Sequence, residues 1–118
     1  MIRNWFAKPR WKTYAAQSGY VYQYIFQGLK DEREYLFHAV SGEDIAMTCA
    51  VEFNADTWVQ ANRELSEIER YGIAKMALLR SLDTCGAGIH ACAGSSDPAL
   101  KIRPSEAEVA DICRELDL

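Results

Sequence analysis

The sequence has no long hydrophobic run and no excess of basic residues, and these two absences exclude several classes of protein. No apolar stretch approaches the roughly 20 residues of a membrane-spanning helix, and the N-terminal segment lacks the apolar run of a secretory signal. We therefore expect a cytoplasmic protein without a transmembrane segment. The formal net charge is −4, and the first 12 residues hold four basic side chains and no acidic one, so the rest is strongly acidic. Double-stranded nucleic acid is not an expected partner, because phosphate binding needs clustered lysine and arginine.

Internal repeats and low-complexity tracts are also absent, and the length fits one domain. The 118 residues are 49% hydrophobic and 25% charged, which is typical of globular proteins. We predict a single domain over residues 1–118 of the α+β class, with a three-stranded antiparallel meander sheet packed against a long helix. The predicted parts are a basic and aromatic arm at 1–19, the sheet at 20–53, a helical region at 56–84, a glycine-rich linker at 86–104 and a C-terminal helix at 105–117.

Three segments alternate between two kinds of side chain, as strands do. They cover residues 20–27, 34–40 and 45–53, and turn residues separate them at 28–33 and 41–44. The third alternation is the cleanest, and its predicted inward residues are Ile45, Met47, Cys49, Val51 and Phe53. Because the connections are short, we expect the three strands to pair in antiparallel order.

The pattern then changes to a helical period. Asn54 or Asp56 can cap a short helix over residues 56–63, and "SEIE" at Ser66 to Glu69 is a capping box that starts a longer helix at 67–84. The apolar stripe predicted for the longer helix is wide and comprises Ile68, Tyr71, Ala74, Leu78 and Leu82, broadened by Ile73, Met76, Ala77 and Leu79. Such a surface indicates contact with the sheet and with a second element.

The C-terminal segment is the predicted second element. Ser105 and Glu108 form another capping box, and Val109, Ile112 and Leu116 recur at helical spacing. We expect an amphipathic helix that the preceding linker tethers to the domain. It can lie in the groove of its own chain or in that of a partner.

The first two strands place five aromatic side chains on one face: Tyr20, Tyr22, Tyr24, Tyr35 and Phe37. Two interpretations fit this face. If it is uncovered, it is an aromatic platform for a protein partner. If it is covered, it is core, as aromatic strand faces usually are.

The stretch "CGAGIHACAGSSDP", from Cys85 to Pro98, concentrates residues that carry chemistry. Cys85, His90, Cys92 and Cys113 could supply a zinc ion with three thiolates and one imidazole, or His90 could activate Cys92 as a nucleophile. The spacing matches neither a zinc knuckle nor a known catalytic arrangement. The glycines instead favour a hinge, so we predict no metal, no cofactor and four cysteines that remain free thiols.

These observations favour a small non-catalytic protein-interaction or accessory domain that forms a homodimer or binds another protein. The predicted partner-binding residues are Tyr20, Tyr22, Tyr24, Tyr35, Phe37, Val109, Ile112 and Leu116. Three strands leave two open edges, and a tethered helix can dock or exchange, so both features offer routes to self-association. The alternative is a small cysteine- or metal-dependent enzyme centred on Cys85, His90 and Cys92.

Overall fold

The computed structural model describes residues 10–31, 33–41, 47–53, 59–60, 63–85 and 99–117, and within them the chain is an α+β protein. Seven strands and two helices are present in this part of the chain. The strands are β1 (Lys12–Ala15), β2 (Val21–Lys30), β3 (Glu34–Ser41), β4 (Met47–Glu52), β5 (Val59–Gln60), β6 (Arg63–Glu64) and β7 (Ala99–Ile102). The helices are α1 (Glu67–Asp83) and α2 (Glu106–Glu115).

The main sheet is mixed and has five strands in the order β1-β2-β3-β4-β7. The first four strands pair in antiparallel fashion in sequence order, and β7 pairs with β4 in parallel. The three predicted strands are present as β2, β3 and β4, but the prediction of a three-stranded, purely antiparallel sheet is wrong. The arm at 1–19 contains β1, and the linker at 86–104 contains β7, so both act as strands of the sheet.

The short helix predicted at 56–63 is also wrong. Its described residues form β5 and β6, which pair in antiparallel fashion as a separate two-stranded ribbon. Gln60 lies opposite Arg63, so only two residues separate the paired positions. The proposed caps Asn54 and Asp56 lie outside the described residues.

Strand β2 is longer than its alternation suggests because it contains a bulge. The register shifts between Phe26 and Gly28, and Gly28 has φ +148°, a value that favours glycine. The strand then continues to Lys30, within the segment predicted to be a turn. The chain reverses after it, where Asp31 has φ +53°.

Helix α1 begins where its capping box predicts and covers one face of the sheet. Ser66 Oγ accepts from the Glu69 amide at 3.2 Å, and Glu69 Oε1 accepts from the Ser66 amide at 2.8 Å. The helix ends at Asp83 with Thr84 as its cap. Its buried residues are Ile73, Ala74, Ala77, Leu78 and Leu82. Ile68, predicted to belong to the apolar stripe, is 65% exposed because it lies in the first turn, before the helix reaches the core.

Helix α2 supplies the second contact of α1. Ser105 caps it by accepting a hydrogen bond from the Glu108 amide at 3.1 Å. Val109, Ile112 and Cys113 are buried in the same cluster as the inner face of the sheet and α1. At the surface, Arg80 pairs with Asp111 at 2.8 Å and with Glu115 at 3.1 Å. Neither helix of the described residues is long and apolar enough to cross a membrane.

Candidate interaction surface

The aromatic face of β2 and β3 is core. Tyr22 and Phe37 have no exposed surface, and Tyr24 and Tyr35 retain only 4%. Tyr71 of α1 covers them, with its ring centroid 5.2 Å from that of Phe26 and 6.1 Å from that of Phe37. Only Tyr20, which precedes β2, is exposed, so the structure does not present an open aromatic platform.

Two tyrosine hydroxyls instead tie the sheet to the end of α1. Tyr22 donates to the Cys85 carbonyl oxygen at 3.0 Å. The Tyr14 hydroxyl lies 2.7 and 2.8 Å from the two carboxylate oxygens of Asp83, which also accepts from the Gln17 amide at 3.0 Å. Burial, together with the hydrogen bond to Asp83, raises the pKa of Tyr14 to about 12. These contacts fix β1 and β2 against the helix through polar groups that the sequence patterns did not reveal.

The cysteines differ from the expectation of four free thiols. Cys85 is disulfide-bonded, which withdraws it from nucleophilic and metal-binding roles in this state. Cys49 and Cys113 are buried thiols, and burial raises the pKa of Cys49 to about 12. His90 and Cys92 lie outside the described residues. Within the described ranges, no group of three or more histidine, cysteine or acidic residues is arranged to hold a metal ion.

The predicted binding side of α2 is used inside the fold. Val109 and Ile112 are buried against α1 and the sheet. Leu116 is 36% exposed, and its Cδ1 atom lies 3.5 Å from where a methyl group on Gly72 would sit. The apolar side of α2 is therefore unavailable to a partner unless the helix leaves its place.

Three of the large hydrophobic side chains that are exposed among the described residues lie in or beside the hairpin of β1 and β2, next to the β1 edge of the sheet. Trp11 is 49% exposed, Val21 52% and Tyr20 38%, and all three lie in or beside the hairpin formed by β1 and β2. β1 pairs with β2 on one side, and no strand of the described residues pairs with its other side. An open strand edge beside exposed apolar side chains is a surface suited to association.

A polar groove of about 370 Å³ lies at the opposite edge of the sheet, between the end of α1, strand β7 and the start of α2. Its lining residues are Ser81, Thr84, Cys85, Leu100, Lys101, Ile102, Arg103 and Glu108. Its charges are mixed, since Lys101 and Arg103 line it together with Glu108. The arrangement shows no nucleophile beside a base.

Two carboxyl groups meet on the sheet surface near this groove. Glu34 and Glu52 are register partners across β3 and β4 and share a hydrogen bond, and Arg103 pairs with Glu52 at 3.0 Å. The hydrogen bond with Glu52 and burial raise the pKa of Glu34. The hydrogen bond with Glu34 and that with Arg103 lower the pKa of Glu52. Glu52 is therefore favoured as the ionised member of the pair, and its contact with Arg103 joins β4 to the residue that follows β7.

Trp11 and Val21 were not predicted to be exposed residues of one hairpin. Trp11 lies in the segment predicted to be a basic and aromatic arm and Val21 in the first predicted strand, and no local pattern links the two. A signal was present for Val21, because strand alternation puts it on the same face as Gln23 and Gln27, opposite the tyrosines. No family model, curated protein or solved structure matches this chain.

Proposed function

We propose that this chain is a non-catalytic protein-interaction domain that forms a homodimer. The observation that supports it is the β1 edge, where Trp11, Tyr20 and Val21 expose apolar surface beside a strand without a second described neighbour. Burial of such surface favours association, and an unpaired strand edge supplies the directional hydrogen bonds.

The binding residues of this proposal differ from those that the sequence suggested. Among the predicted residues, only Tyr20 and Leu116 are exposed, and the other six are buried in the core. Interaction through buried residues would require the domain to open, at a cost comparable with its stability. The proposal therefore places the interface on the sheet edge and gives the aromatic face a structural role.

The competing proposal is a cysteine- or metal-dependent enzyme centred on Cys85, His90 and Cys92. The disulfide of Cys85 opposes it, because an oxidised sulfur is neither a thiolate nucleophile nor a thiolate ligand. Elemental analysis of the purified protein and thiol reactivity near neutral pH separate the two proposals. Stoichiometric zinc, or a cysteine that reacts rapidly at neutral pH, would favour the enzyme.

Sedimentation velocity over a wide range of protein concentration tests the interaction proposal. We expect a reversible shift from the monomer mass to twice that mass as the concentration rises. The measurement should be repeated with reductant, so that an intermolecular disulfide is not mistaken for association. A monomer at every concentration would contradict the homodimer.

A further inference from the structure

We propose that two copies of this chain join through their β1 strands, which pair in antiparallel fashion around a twofold axis at Thr13 and make one sheet continuous across the dimer. This inference rests on the proposed function and names its surface and its partner. The partner is a second copy because the edge is complementary to itself in hydrogen bonding, in apolar surface and in charge.

The backbone of β1 offers the required hydrogen-bonding groups. The Ala16 amide donates to the Tyr20 carbonyl at 2.9 Å, so Ala16 faces β2. In an antiparallel ladder, every second residue points its backbone amide and carbonyl toward the neighbouring strand. The backbone groups of Tyr14 and Lys12 therefore point toward β2 as well. The amide and carbonyl groups of Thr13 and Ala15 therefore point away from the sheet, where a further strand can pair with them.

Symmetry limits the register to pairs of residues on the same face, and the side chains favour an axis at Thr13. A twofold axis perpendicular to the sheet keeps each side chain on its own face, so a residue can face only a residue of the same face. With the axis at Thr13, each Thr13 faces Thr13 of the partner subunit and exchanges both backbone hydrogen bonds with it. Lys12 then faces Tyr14 of the partner subunit, and Trp11 faces Ala15 of the partner subunit.

The apolar surface of the edge fits this register. By strand alternation, Trp11 lies on the same face as Thr13 and Ala15, the face opposite the core. Ala15 is the register partner of Val21, which is 52% exposed. Each Trp11 would therefore cover the alanine and valine of the other copy, and the symmetry makes this contact twice.

The charges of the edge also fit. Lys12 on the inner face would approach Tyr14 of the partner subunit, whose hydroxyl is bonded to a carboxylate, Asp83 of the partner subunit. Within its own chain, Lys12 is instead close to Lys75, and burial followed by the charge of Lys12 lowers the pKa of Lys75. Pairing thus adds a carboxylate of the partner subunit to the surroundings of Lys12, while Lys75 stays beside it. The β7 edge is less suitable, because none of its described residues is among the large hydrophobic side chains that are exposed.

Cross-linking tests the register directly. Thr13→Cys places two thiols on the twofold axis at the separation of paired strands, which a disulfide can span. We expect mild oxidation of the variant to yield a dimer on a non-reducing gel. Lys101→Cys is the matched control, since it puts an exposed thiol on the opposite edge strand, and we expect it to run as a monomer on the same non-reducing gel.

Proline substitution tests the hydrogen bonds. Thr13→Pro removes an amide that points away from β2, so β1 can still pair within its own chain. We expect the dissociation constant to rise by about tenfold or more, because the dimer loses two backbone hydrogen bonds. Circular dichroism and thermal unfolding report whether the variant folds. If it does not, the cross-linking result decides.

The outcomes separate the two proposals. A dimeric parent whose Thr13→Cys variant does not cross-link, or whose folded Thr13→Pro variant dimerises unchanged, would overturn the β1 interface and leave the homodimer standing. A parent that is monomeric at every concentration, with a Thr13→Cys variant that does not cross-link, would overturn both. Equal cross-linking of the Lys101→Cys control would show random collision and would also overturn the interface.

Discussion

The hydroxyl of Tyr22 donates a hydrogen bond to the carbonyl oxygen of Cys85 across 3.0 Å, in the interior of the protein. Tyr22 has no exposed surface and Cys85 only 1%. A buried carbonyl needs a partner, and here the partner comes from β2, far away in sequence. The bond therefore fixes the end of α1 to the sheet at the point where the chain leaves the helix.

Removal of this hydroxyl should destabilise the fold. We expect Tyr22→Phe to lower the free energy of unfolding by about 1–3 kcal/mol, because the Cys85 carbonyl remains buried without its donor. Urea unfolding measures the change. Tyr20→Phe is the control, since that residue is exposed, and it should change the stability by no more than about 0.5 kcal/mol. Equal effects of the two substitutions would contradict the structural role of the bond.

The cysteine thiols should react with an alkylating agent in a defined order. At neutral pH we expect no rapid alkylation of Cys49 in the folded protein, because the thiol is buried and its pKa is raised to about 12. After denaturation without reductant, Cys49 and Cys113 should be alkylated and Cys85 should not. Peptide mass spectrometry identifies the labelled sites. Alkylation of Cys85 before reduction would show that its disulfide does not form.

Helix α2 should contribute strongly to stability because its apolar side is core. We expect Ile112→Ala to lower the free energy of unfolding by about 2–5 kcal/mol, from lost burial and the cavity that it leaves. Arg114→Ala on the opposite side, whose side chain is 76% exposed, should have a small effect. Chemical denaturation of both variants makes the comparison. A small loss for Ile112→Ala would mean that the helix detaches easily.

Glu34 and Glu52 should each make the free energy of unfolding depend on pH, and the two dependences should have opposite signs. The raised pKa of Glu34 means that its contribution is complete below the ordinary glutamate pKa and declines as pH rises through the raised value. Glu34→Gln keeps a donor at every pH, so we expect it to gain stability relative to the parent as pH rises from acidic to neutral.

Glu52→Gln is the matched variant for this pair. The lowered pKa of Glu52 gives a contribution that is present above the ordinary glutamate pKa and is lost as pH falls through the lowered value. This variant should therefore lose stability at neutral pH and approach the parent in acid. Both differences should be within about 1 kcal/mol, because the groups are partly solvated. Urea unfolding at several pH values measures them, and parallel profiles would contradict the coupling.

The parts of the fold that local signals specify were predictable. Period-two alternation located β2, β3 and β4, and Met47, Cys49, Val51 and Phe53 are buried as the third alternation requires. Capping boxes at Ser66 and Ser105 located the starts of both helices, because the side chain and the amide that it binds are three residues apart.

The parts that depend on distant residues were not predictable by the same means. Strand β7 has only four residues, and it is a strand because β4 lies beside it, a pairing that no local pattern encodes. β1 is mostly exposed, so no alternation of apolar and polar side chains marks it in the sequence. For β5 and β6, the capping signal at residues 54–56 suggested a helix, whereas their pairing with each other makes them strands. The β1 surface was missed because it depends on both strands of a hairpin.

The parallel pairing of β4 with β7 also governs the order in which the molecule can be completed. Val51 and Ile102 are neighbours in the sheet although almost half of the sequence separates them. A nascent chain that has already emerged through β4 must wait for the whole of α1 and the segment beyond it before that flank is closed. Until then β4 is an edge strand with unpaired backbone groups, so the growing polypeptide stays open to aggregation until β7 has emerged.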